Sequence, residues 1–237
     1  MSGVTVHIRA KTFAAQDGAP ERALYRDFRL EIADGSFVAV LGPSGLGKTT
    51  LLNMIAGLDR AFEGEIRFTG GGGAPRIGYA FQNPRLLPWR TVIENVTLPL
   101  DATPEAAARA RALLGDMGLA DAADVYPERL SVGMQRRVAL ARAFALEPDL
   151  LLMDEPFVSL DEANAERLRD LLAELVARRP TTVLFVTHDS REAVRLADRV
   201  VTLAGPPVRI AEDRAVPLSP DDRRRPEAVE AFRGAGG

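Results

Sequence analysis

The stretch "GPSGLGKTT", Gly42–Thr50, decides the fold. It follows the apolar run "FVAVL" at 37–41, which has the composition of a buried strand, and it precedes the helical pattern "LLNMIAGL" at 51–58. Its spacing is G-x-x-x-x-G-K-[ST], and a strand before it with a helix after it is the context that this motif requires. The stretch therefore predicts a phosphate-binding loop and nucleotide binding.

Each residue type in this loop has a chemical reason. Gly42, Gly45 and Gly47 allow the backbone to curl, so that successive N–H groups face phosphate oxygens. Lys48 is expected to reach the β- and γ-phosphates, and the Thr49 hydroxyl to ligate Mg²⁺. The other loop residues that we expect at the nucleotide are Pro43, Ser44 and Thr50.

A second motif, "LLLMDEP" at Leu150–Pro156, supplies acids at the end of an apolar strand. Asp154 is expected to hold Mg²⁺ through water, and Glu155 to polarise an attacking water. The alternative is an exposed pair of acids at a strand end. The four apolar residues before the pair disfavour that alternative.

Two further strands are followed by polar residues. "GYAF" leads into Gln82, and "VLFV" leads into Thr187 and His188. In open α/β sheets, ligands bind beyond the carboxyl ends of the strands, so we expect these residues to converge with Gly42–Thr50 and Asp154. This position favours a functional His188 over a structural one. The chain has no N-K-x-D sequence, the motif that would indicate guanine selectivity, so ATP is the expected nucleotide.

The hydrophobic pattern predicts an α/β fold with a mainly parallel core sheet. The apolar runs that read as its strands are "FVAVLG" (Phe37–Gly42), "RIGYAF" (Arg76–Phe81), "LLLMDE" (Leu150–Glu155), "TVLFVTH" (Thr182–His188) and "RVVTLA" (Arg199–Ala204). The alternating "VTVHIRA" and "DFRLEIADG" predict an N-terminal antiparallel β subdomain with a turn at Asp34-Gly35. A helical lobe is expected over about 88–145, with a helix starting at Thr103-Pro104-Glu105. We expect one domain over 1–217 and a poorly ordered tail with one short helix over 218–237.

Composition excludes several classes of function. The chain has 237 residues, 46% of them hydrophobic, and a net charge of −3, so a basic nucleic-acid-binding face is not expected. It has no cysteine and only His7 and His188, which excludes thiol-ligated metals and disfavours a histidine-rich zinc site. No apolar run approaches the ~20 residues of a membrane span, and no signal-peptide pattern is present, so a cytoplasmic protein is expected.

A third stretch, "LSVGMQRRVALARA" at Leu130–Ala143, has two interpretations. Ser131 is a favoured helix N-cap, and an ordinary cap is the simpler one. A helix N-terminus also attracts anions, and Gly133 leaves its backbone N–H open to a phosphate. Because the chain's own loop already holds its phosphates, the second interpretation requires a nucleotide bound by another copy.

Taken together, these motifs resemble those of the ATP-binding cassette (ABC) ATPases, the nucleotide-hydrolysing subunits of ABC transporters. The resemblance covers roughly residues 4–205 and includes a P-loop, a Q-loop at Gln82, the signature "LSVGMQRR", the strand-end acids, a D-loop "SLD" (Ser159–Asp161) and a switch histidine in "THD". It implies a P-loop NTPase with an inserted helical lobe, which hydrolyses ATP with Mg²⁺.

The resemblance also implies a head-to-tail dimer that sandwiches ATP. The signature residues Ser131, Gly133 and Gln135 of one copy would meet the nucleotide on the other, and Asp161 would act across the dimer. Gln82 would sense the metal and the γ-phosphate and signal to a transmembrane partner. Phe13 matches the aromatic residue that stacks on adenine; its alternative is a core phenylalanine.

The segment "NPRLLPWRTVIENV" at 83–96 suggests a partner surface. Its Leu-Leu-Pro-Trp group is either a docking surface or packing inside the helical lobe. "LLPWRTV" and "MDEPF" are similar to importer subunits of the nitrate/sulfonate/taurine group. That similarity implies a permease, an external solute-binding protein and a peripheral location on the cytoplasmic face of the membrane.

Two departures from the family pattern stand in the signature. Val132 replaces a glycine, and Gln135-Arg136 reverses the usual Arg-Gln order, so the strength of dimer closure is in question. Two alternatives remain open. One is a soluble ABC ATPase of DNA repair or translation; the other is a regulatory subunit that binds ATP without turnover, against which Glu155 and His188 argue.

Overall fold

The computed structural model describes residues 2–13, 22–70, 73–158 and 160–234. The chain forms two compact units. The discontinuous unit consists of residues 2–74 and 182–237, and the inserted unit consists of residues 75–181. Strands and helices are numbered along the chain.

The discontinuous unit contains an antiparallel sheet with the strand order β2-β1-β4. Its strands are β1 (Gly3–Phe13), β2 (Arg22–Ile32) and β4 (Glu63–Thr69). Val6 pairs with Leu30 and Ile8 with Phe28, and these alternate side chains are buried. The two alternating sequences therefore form the antiparallel pair that we predicted, and Gly35 takes a positive φ of 68° in the predicted turn.

The same unit contains the parallel strands that carry the phosphate-binding loop. β3 (Phe37–Leu41) pairs in parallel with β7 (Thr182–Thr187) on one side and with β8 (Arg199–Ala204) on the other. β9 (Arg209–Ala215) pairs antiparallel with β8. The helices of this unit are α1 (Lys48–Ile55), α6 (Ser190–Leu196), α7 (Pro220–Arg223) and α8 (Pro226–Gly234).

The inserted unit contains two parallel strands and most of the helices. β5 (Ile77–Ala80) pairs with β6 (Leu150–Asp154), whose five residues are all buried. The helices are α2 (Val92–Thr97), α3 (Pro104–Asp116), α4 (Val132–Ala145) and α5 (Glu162–Arg178), with short 3₁₀ turns at Ala120–Ala122 and Pro127–Arg129. Thr103 caps α3 as predicted, since its hydroxyl accepts a hydrogen bond from the Ala106 N–H. The inserted unit is wider than the expected lobe over 88–145 because β5, β6 and α5 belong to it.

Two strands were not predicted, β4 and β9. β4 has no buried residue and β9 alternates between exposed and partly buried side chains. Both also lie at the edge of an antiparallel pairing and carry several charged residues, which is usual for edge strands. Their low hydrophobicity hides them from a search for apolar runs.

The C-terminal segment over 218–234 contains two short helices, α7 and α8, where one was expected. Ser219 caps α7, and Arg223 donates to the Leu196 carbonyl at 3.0 Å and to Asp198 Oδ1 at 2.9 Å. Arg233 Nε donates to Ser190 Oγ at 2.7 Å, and Val229 of α8 is buried. The arginines give this segment the composition of a solvated tail. They instead bond the segment to α6 and to the residues just after α6.

Candidate functional site

The phosphate-binding loop lies between β3 and α1, as the motif requires. Gly45 and Gly47 have φ values of 75° and 106°, a backbone conformation that favours glycine. A Cβ on Gly47 would also lie only 2.9 Å from carbon atoms of Leu24. The first turn of α1, which begins at Lys48, leaves backbone N–H groups without partners inside the helix. This geometry suits an anion at the head of α1.

The side chain of Lys48 lies within the phosphate-binding loop. Its side chain is only 4% exposed, and Nζ donates to the carbonyl oxygens of Gly42 at 2.6 Å and Pro43 at 2.9 Å. The ammonium group is therefore already placed at the loop's concave side. By contrast, Ser44 and Thr49 are exposed.

Tyr25 supports the loop from β2, and sequence reasoning missed it. Its hydroxyl donates to the Gly47 carbonyl oxygen at 3.0 Å, and its ring is almost fully buried against Phe28. Burial raises the pKa of the Tyr25 hydroxyl far above its usual range, so the group remains a neutral donor. Nothing in the spacing of β2 signals this contact.

Phe13 is the last residue of β1 and is 48% exposed, which excludes the alternative of a core phenylalanine. The Nζ atom of the buried Lys11 lies 5.2 Å from its ring centroid. That ammonium group is fixed by Asp59 Oδ2 at 2.7 Å and by the Ala61 carbonyl at 2.9 Å. Stacking of Phe13 on adenine stays a prediction.

His188 follows β7 and is exposed. The turn around it is well fixed: Thr187 Oγ1 accepts from the Asp189 N–H at 3.0 Å and bonds to Glu192. Asp189 caps α6 through the Arg191 N–H at 2.7 Å. His188 therefore projects from a rigid connection between β7 and α6.

In the inserted unit, the predicted acids lie where β6 ends. Asp154 is 3% exposed, whereas Glu155 is partly exposed. Gln82 Nε2 lies 3.4 Å from Glu155 Oε2, a long hydrogen bond. The structure thus brings two of the predicted site residues together at the end of the parallel strands β5 and β6.

Glu155 has an unusual backbone conformation, with φ at 46°. Such a conformation costs a non-glycine residue on the order of 1–3 kcal/mol and persists only where neighbours enforce it. The neighbour is Arg136 of α4, which sequence reasoning did not include among the site residues. Its Nη1 donates to the Glu155 carbonyl oxygen at 3.2 Å.

The head of α4 has the predicted cap. The Ser131 side chain accepts from the Met134 N–H at 3.2 Å. Val132 is 55% exposed, so its side chain lies on the open surface of the helix head. A Cβ on Gly133 would lie 3.3 Å from Leu160 Cδ2, a tight contact that favours glycine there.

Gln135 is engaged within its own chain. Its amide Nε2 donates to the carbonyls of Pro127 at 3.1 Å and Leu130 at 3.3 Å, in the turn that precedes α4. The structure therefore gives Gln135 a bracing role, and its contact with a second copy's nucleotide stays a prediction.

Asp161 caps α5. Its carboxylate accepts from the Asn164 N–H at 3.0 Å and from Asn164 Nδ2 at 2.6 Å, and these bonds lower the pKa of Asp161. Ser159, the first residue of the predicted D-loop, lies outside the described residues. The exposed Asp161 remains a candidate for contact across a dimer.

The predicted metal ligands carry oxygen donors. Thr49 in the discontinuous unit has a hydroxyl oxygen and Asp154 in the inserted unit has a carboxylate oxygen, and each is a donor of the kind that Mg²⁺ prefers. The described part of the chain holds no cluster of three or more His, Cys, Asp or Glu side chains able to bind a metal on their own. Mg²⁺ commonly uses one or two protein ligands together with substrate phosphates.

The sequence profile of ABC transporters matches residues 25–158, more than half of the chain. The chain belongs to the ABC transporter family. It is 50% identical to the aliphatic sulfonates import ATP-binding protein SsuB of Mycobacterium sp. (strain MCS) over 209 residues, which cover 86% of this chain and 82% of the relative. It is 42% identical to SsuB 1 of Xanthomonas axonopodis pv. citri (strain 306), over 96% of this chain and 92% of the relative.

Solved ABC cassettes share the fold. A dimeric cassette bound to ADP and Pi in a post-hydrolysis state matches with a TM-score of 0.79 and 31% identity, over 91% of this chain and all of the other. A second dimeric cassette structure also has a TM-score of 0.79, at 30% identity. The predicted P-loop NTPase fold is confirmed.

Family membership confirms the expected chemistry. This ABC protein is an ATPase, with ATP as its nucleotide and Mg²⁺ as the accompanying metal. The alternative of an ABC ATPase in DNA repair or translation receives no support, since the relatives above are import proteins. Among the described residues, no helix combines the length and apolar character needed to cross a membrane.

Proposed function

We propose that this chain is the ATP-hydrolysing subunit of an ABC importer for sulfonates, within the nitrate/sulfonate/taurine group. The observation that carries the proposal is identity of 42–50% to aliphatic sulfonate import subunits over more than four fifths of both chains. ATP binding closes a dimer, hydrolysis reopens it, and this motion drives a permease.

Nucleotide binding uses the discontinuous unit. The backbone of the loop over Gly42–Gly47 and the first turn of α1 hold the phosphates, and Lys48 moves its ammonium group from loop carbonyls to phosphate oxygens. Thr49 supplies a hydroxyl ligand to Mg²⁺, and Phe13 stacks on the adenine. The fixed loop and the exposed Phe13 ring support these roles.

Hydrolysis uses acids of the inserted unit and the switch histidine. Glu155 would polarise the attacking water, and Asp154 would help to hold Mg²⁺, whose positive charge would offset the charge of the phosphates. Gln82 reports on the metal and the γ-phosphate, and its hydrogen bond with Glu155 supports that pairing. His188 contacts the γ-phosphate from a rigid turn.

Each active site is completed by a second copy. The α4 head, with Ser131 and Gly133, contacts the γ-phosphate held by the other copy, and Gln135 and Asp161 act across the same interface. The dimeric form of two similar cassettes supports this arrangement. The capped helix head supports it too, because a helix N-terminus stabilises an anion.

The permease is the partner that turns this cycle into transport. Trp89 is 69% exposed, and the turn before it is pinned by the buried Asn95, which bonds to the N–H and the carbonyl of Leu87. An exposed indole on a fixed turn suits a docking surface. The chain accordingly sits peripherally on the cytoplasmic face, with a solute-binding protein outside.

The test is transport by an importer assembled in proteoliposomes from this chain, a permease and a solute-binding protein of the same organism. Ethanesulfonate should stimulate ATP hydrolysis and enter the vesicles, and propionate, a carboxylate of similar size, should do neither. Uptake of nitrate but not of sulfonates would contradict the solute class. Glu155→Gln in the same vesicles should bind ATP without turnover, and sustained turnover would remove Glu155 from its role.

A further inference from the structure

Arg136 occupies a buried position on α4 that points it at the end of β6. Its side chain is 8% exposed, although arginine is rarely buried. The neighbouring Gln135 turns the other way, toward the loop before the helix. The reversed Gln135-Arg136 order therefore sends the guanidinium, rather than an amide, toward Glu155.

Glu155 needs an external restraint on its backbone. Its φ of 46° lies in the left-handed region, and the following Pro156 favours an extended conformation at the residue before it. The hydrogen bond from Arg136 Nη1 to the Glu155 carbonyl oxygen, at 3.2 Å, is such a restraint. We propose that Arg136 is a positioning residue for ATP hydrolysis, which fixes the direction of the Glu155 side chain by holding its main-chain carbonyl.

The burial of Arg136 indicates that this bond matters. Burial lowers the pKa of Arg136, although the Glu155 carboxylate acts in the opposite direction. Its buried Nε has no hydrogen-bond partner within the described residues. An unbranched apolar side chain such as methionine would keep packing contacts at this position without desolvating a charge. What distinguishes the arginine is that its Nη1 donates to the carbonyl oxygen of Glu155 at 3.2 Å and lies 3.5 Å from that of Pro156.

The same helix also carries Ser131, five positions before Arg136. In the proposed dimer, Ser131 faces the nucleotide of the other copy, while Arg136 holds the water-polarising glutamate of its own chain. α4 therefore links the two sites. This inference rests on the proposed role of Glu155.

The experiment compares steady-state ATP hydrolysis of the assembled importer with Arg136→Met, Arg136→Gln and the control Arg137→Met. Arg137 is the matched control because its Nη1 donates to the Met117 carbonyl at 2.7 Å, away from Glu155. Arg136→Met should lower kcat by about ten- to a hundredfold, with KM for ATP and nucleotide affinity unchanged. Arg136→Gln should recover part of the loss, since its amide can donate to the same carbonyl.

Three outcomes would overturn the inference: unchanged kcat in Arg136→Met, an equal loss in Arg137→Met, or a loss confined to KM. If Arg136→Met does not fold, Arg136→Leu replaces it; leucine has no donor and should lower kcat, and wild-type kcat would overturn the inference. Glu155→Gln, measured in parallel, separates the two proposals. If Glu155→Gln abolishes turnover while the Arg136 variants stay active, only the role of Arg136 fails.

Discussion

At the scale of single residues, the phosphate-binding loop shows how a small motif fixes chemistry. Gly47 has a φ of 106°, which strains any residue with a side chain, and its carbonyl accepts a hydrogen bond from the Tyr25 hydroxyl. Lys48 Nζ donates hydrogen bonds to two loop carbonyls, which hold the ammonium group in place. The loop is therefore preorganised, and little of the binding free energy has to be spent on ordering it.

Removal of the Lys48 ammonium group should weaken nucleotide binding. Lys48→Ala loses charge-assisted hydrogen bonds to phosphate, and we expect a loss of affinity of about ten- to a hundredfold. Titration with a fluorescent ATP analogue measures it, with Arg209→Ala, an exposed cation of the same unit, as control. Equal affinity in the wild type and Lys48→Ala would refute the assignment of the loop.

Val132 should hinder closure of the dimer. Its branched side chain is exposed on the head of α4, where the family pattern has glycine. Val132→Gly and Val132→Ala, each in a Glu155→Gln background, should both raise ATP-dependent dimerisation as measured by analytical ultracentrifugation. Alanine separates loss of the side chain from the backbone freedom that glycine adds. Unchanged dimerisation in both variants would mean that Val132 faces away from the partner.

The residues that the sequence predicted are those whose chemistry is carried by a local pattern. Lys48, Asp154 and Ser131 each sit at a fixed place in a motif, and the structure puts each at the end of the strand or helix expected. Tyr25 and Arg136 escaped prediction because their contacts join positions 22 and 19 residues apart. Such contacts depend on how strands and helices pack, which no spacing rule describes.

At the scale of elements, three arginines of α4 donate hydrogen bonds to main-chain carbonyls of other segments. Arg136 and Arg137 donate to the carbonyls of Glu155 and Met117, and Arg142 donates to the Pro84 carbonyl at 2.7 Å. Burial lowers the pKa of all three guanidinium groups. α4 is therefore hydrogen-bonded to three segments: the turn after β6, the end of α3 and the segment that follows the predicted Q-loop.

The sequence predicted the start of α4 and its cap, but not the direction of its arginines. A run of basic residues on a helix is usually a solvated face, and composition gives no sign that these reach main-chain carbonyls. The same limit applies to α7 and α8. Their polar sequence favours disorder, whereas Arg223 and Arg233 bond to specific acceptors around α6.

At this scale we predict that α8 stabilises the discontinuous unit through Arg233. Arg233→Ala removes the bond to Ser190 Oγ and should cost about 1 kcal/mol, a shift in Tm of about 2–4 °C. The control is Arg225→Ala, whose exposed pair with Asp222 should contribute little. Differential scanning calorimetry measures both. An equal Tm for the two variants would show that α8 does not depend on this contact.

At the scale of the whole molecule, one chain supplies the parts of two half-sites. In the proposed function, its phosphate-binding loop and strand-end acids would serve its own nucleotide, while the head of α4 and Asp161 would serve that of a second copy. The family resemblance, which rests on the order of the motifs, predicted that each chain contributes residues to two nucleotide sites. The solute could not be derived from the site residues, because in the proposed importer the partner proteins select it.

In the proposed dimer, the head of α4 completes the ATP site of a second copy. Light scattering of Glu155→Gln with and without Ser131→Asp tests this most directly. Aspartate is as good an N-cap as serine, so the helix remains capped, but its charge repels the γ-phosphate of the partner. With ATP, Glu155→Gln should double its mass, whereas the double variant should bind ATP with equal affinity and stay monomeric. ATP-dependent dimers of equal stability in both would contradict the claim.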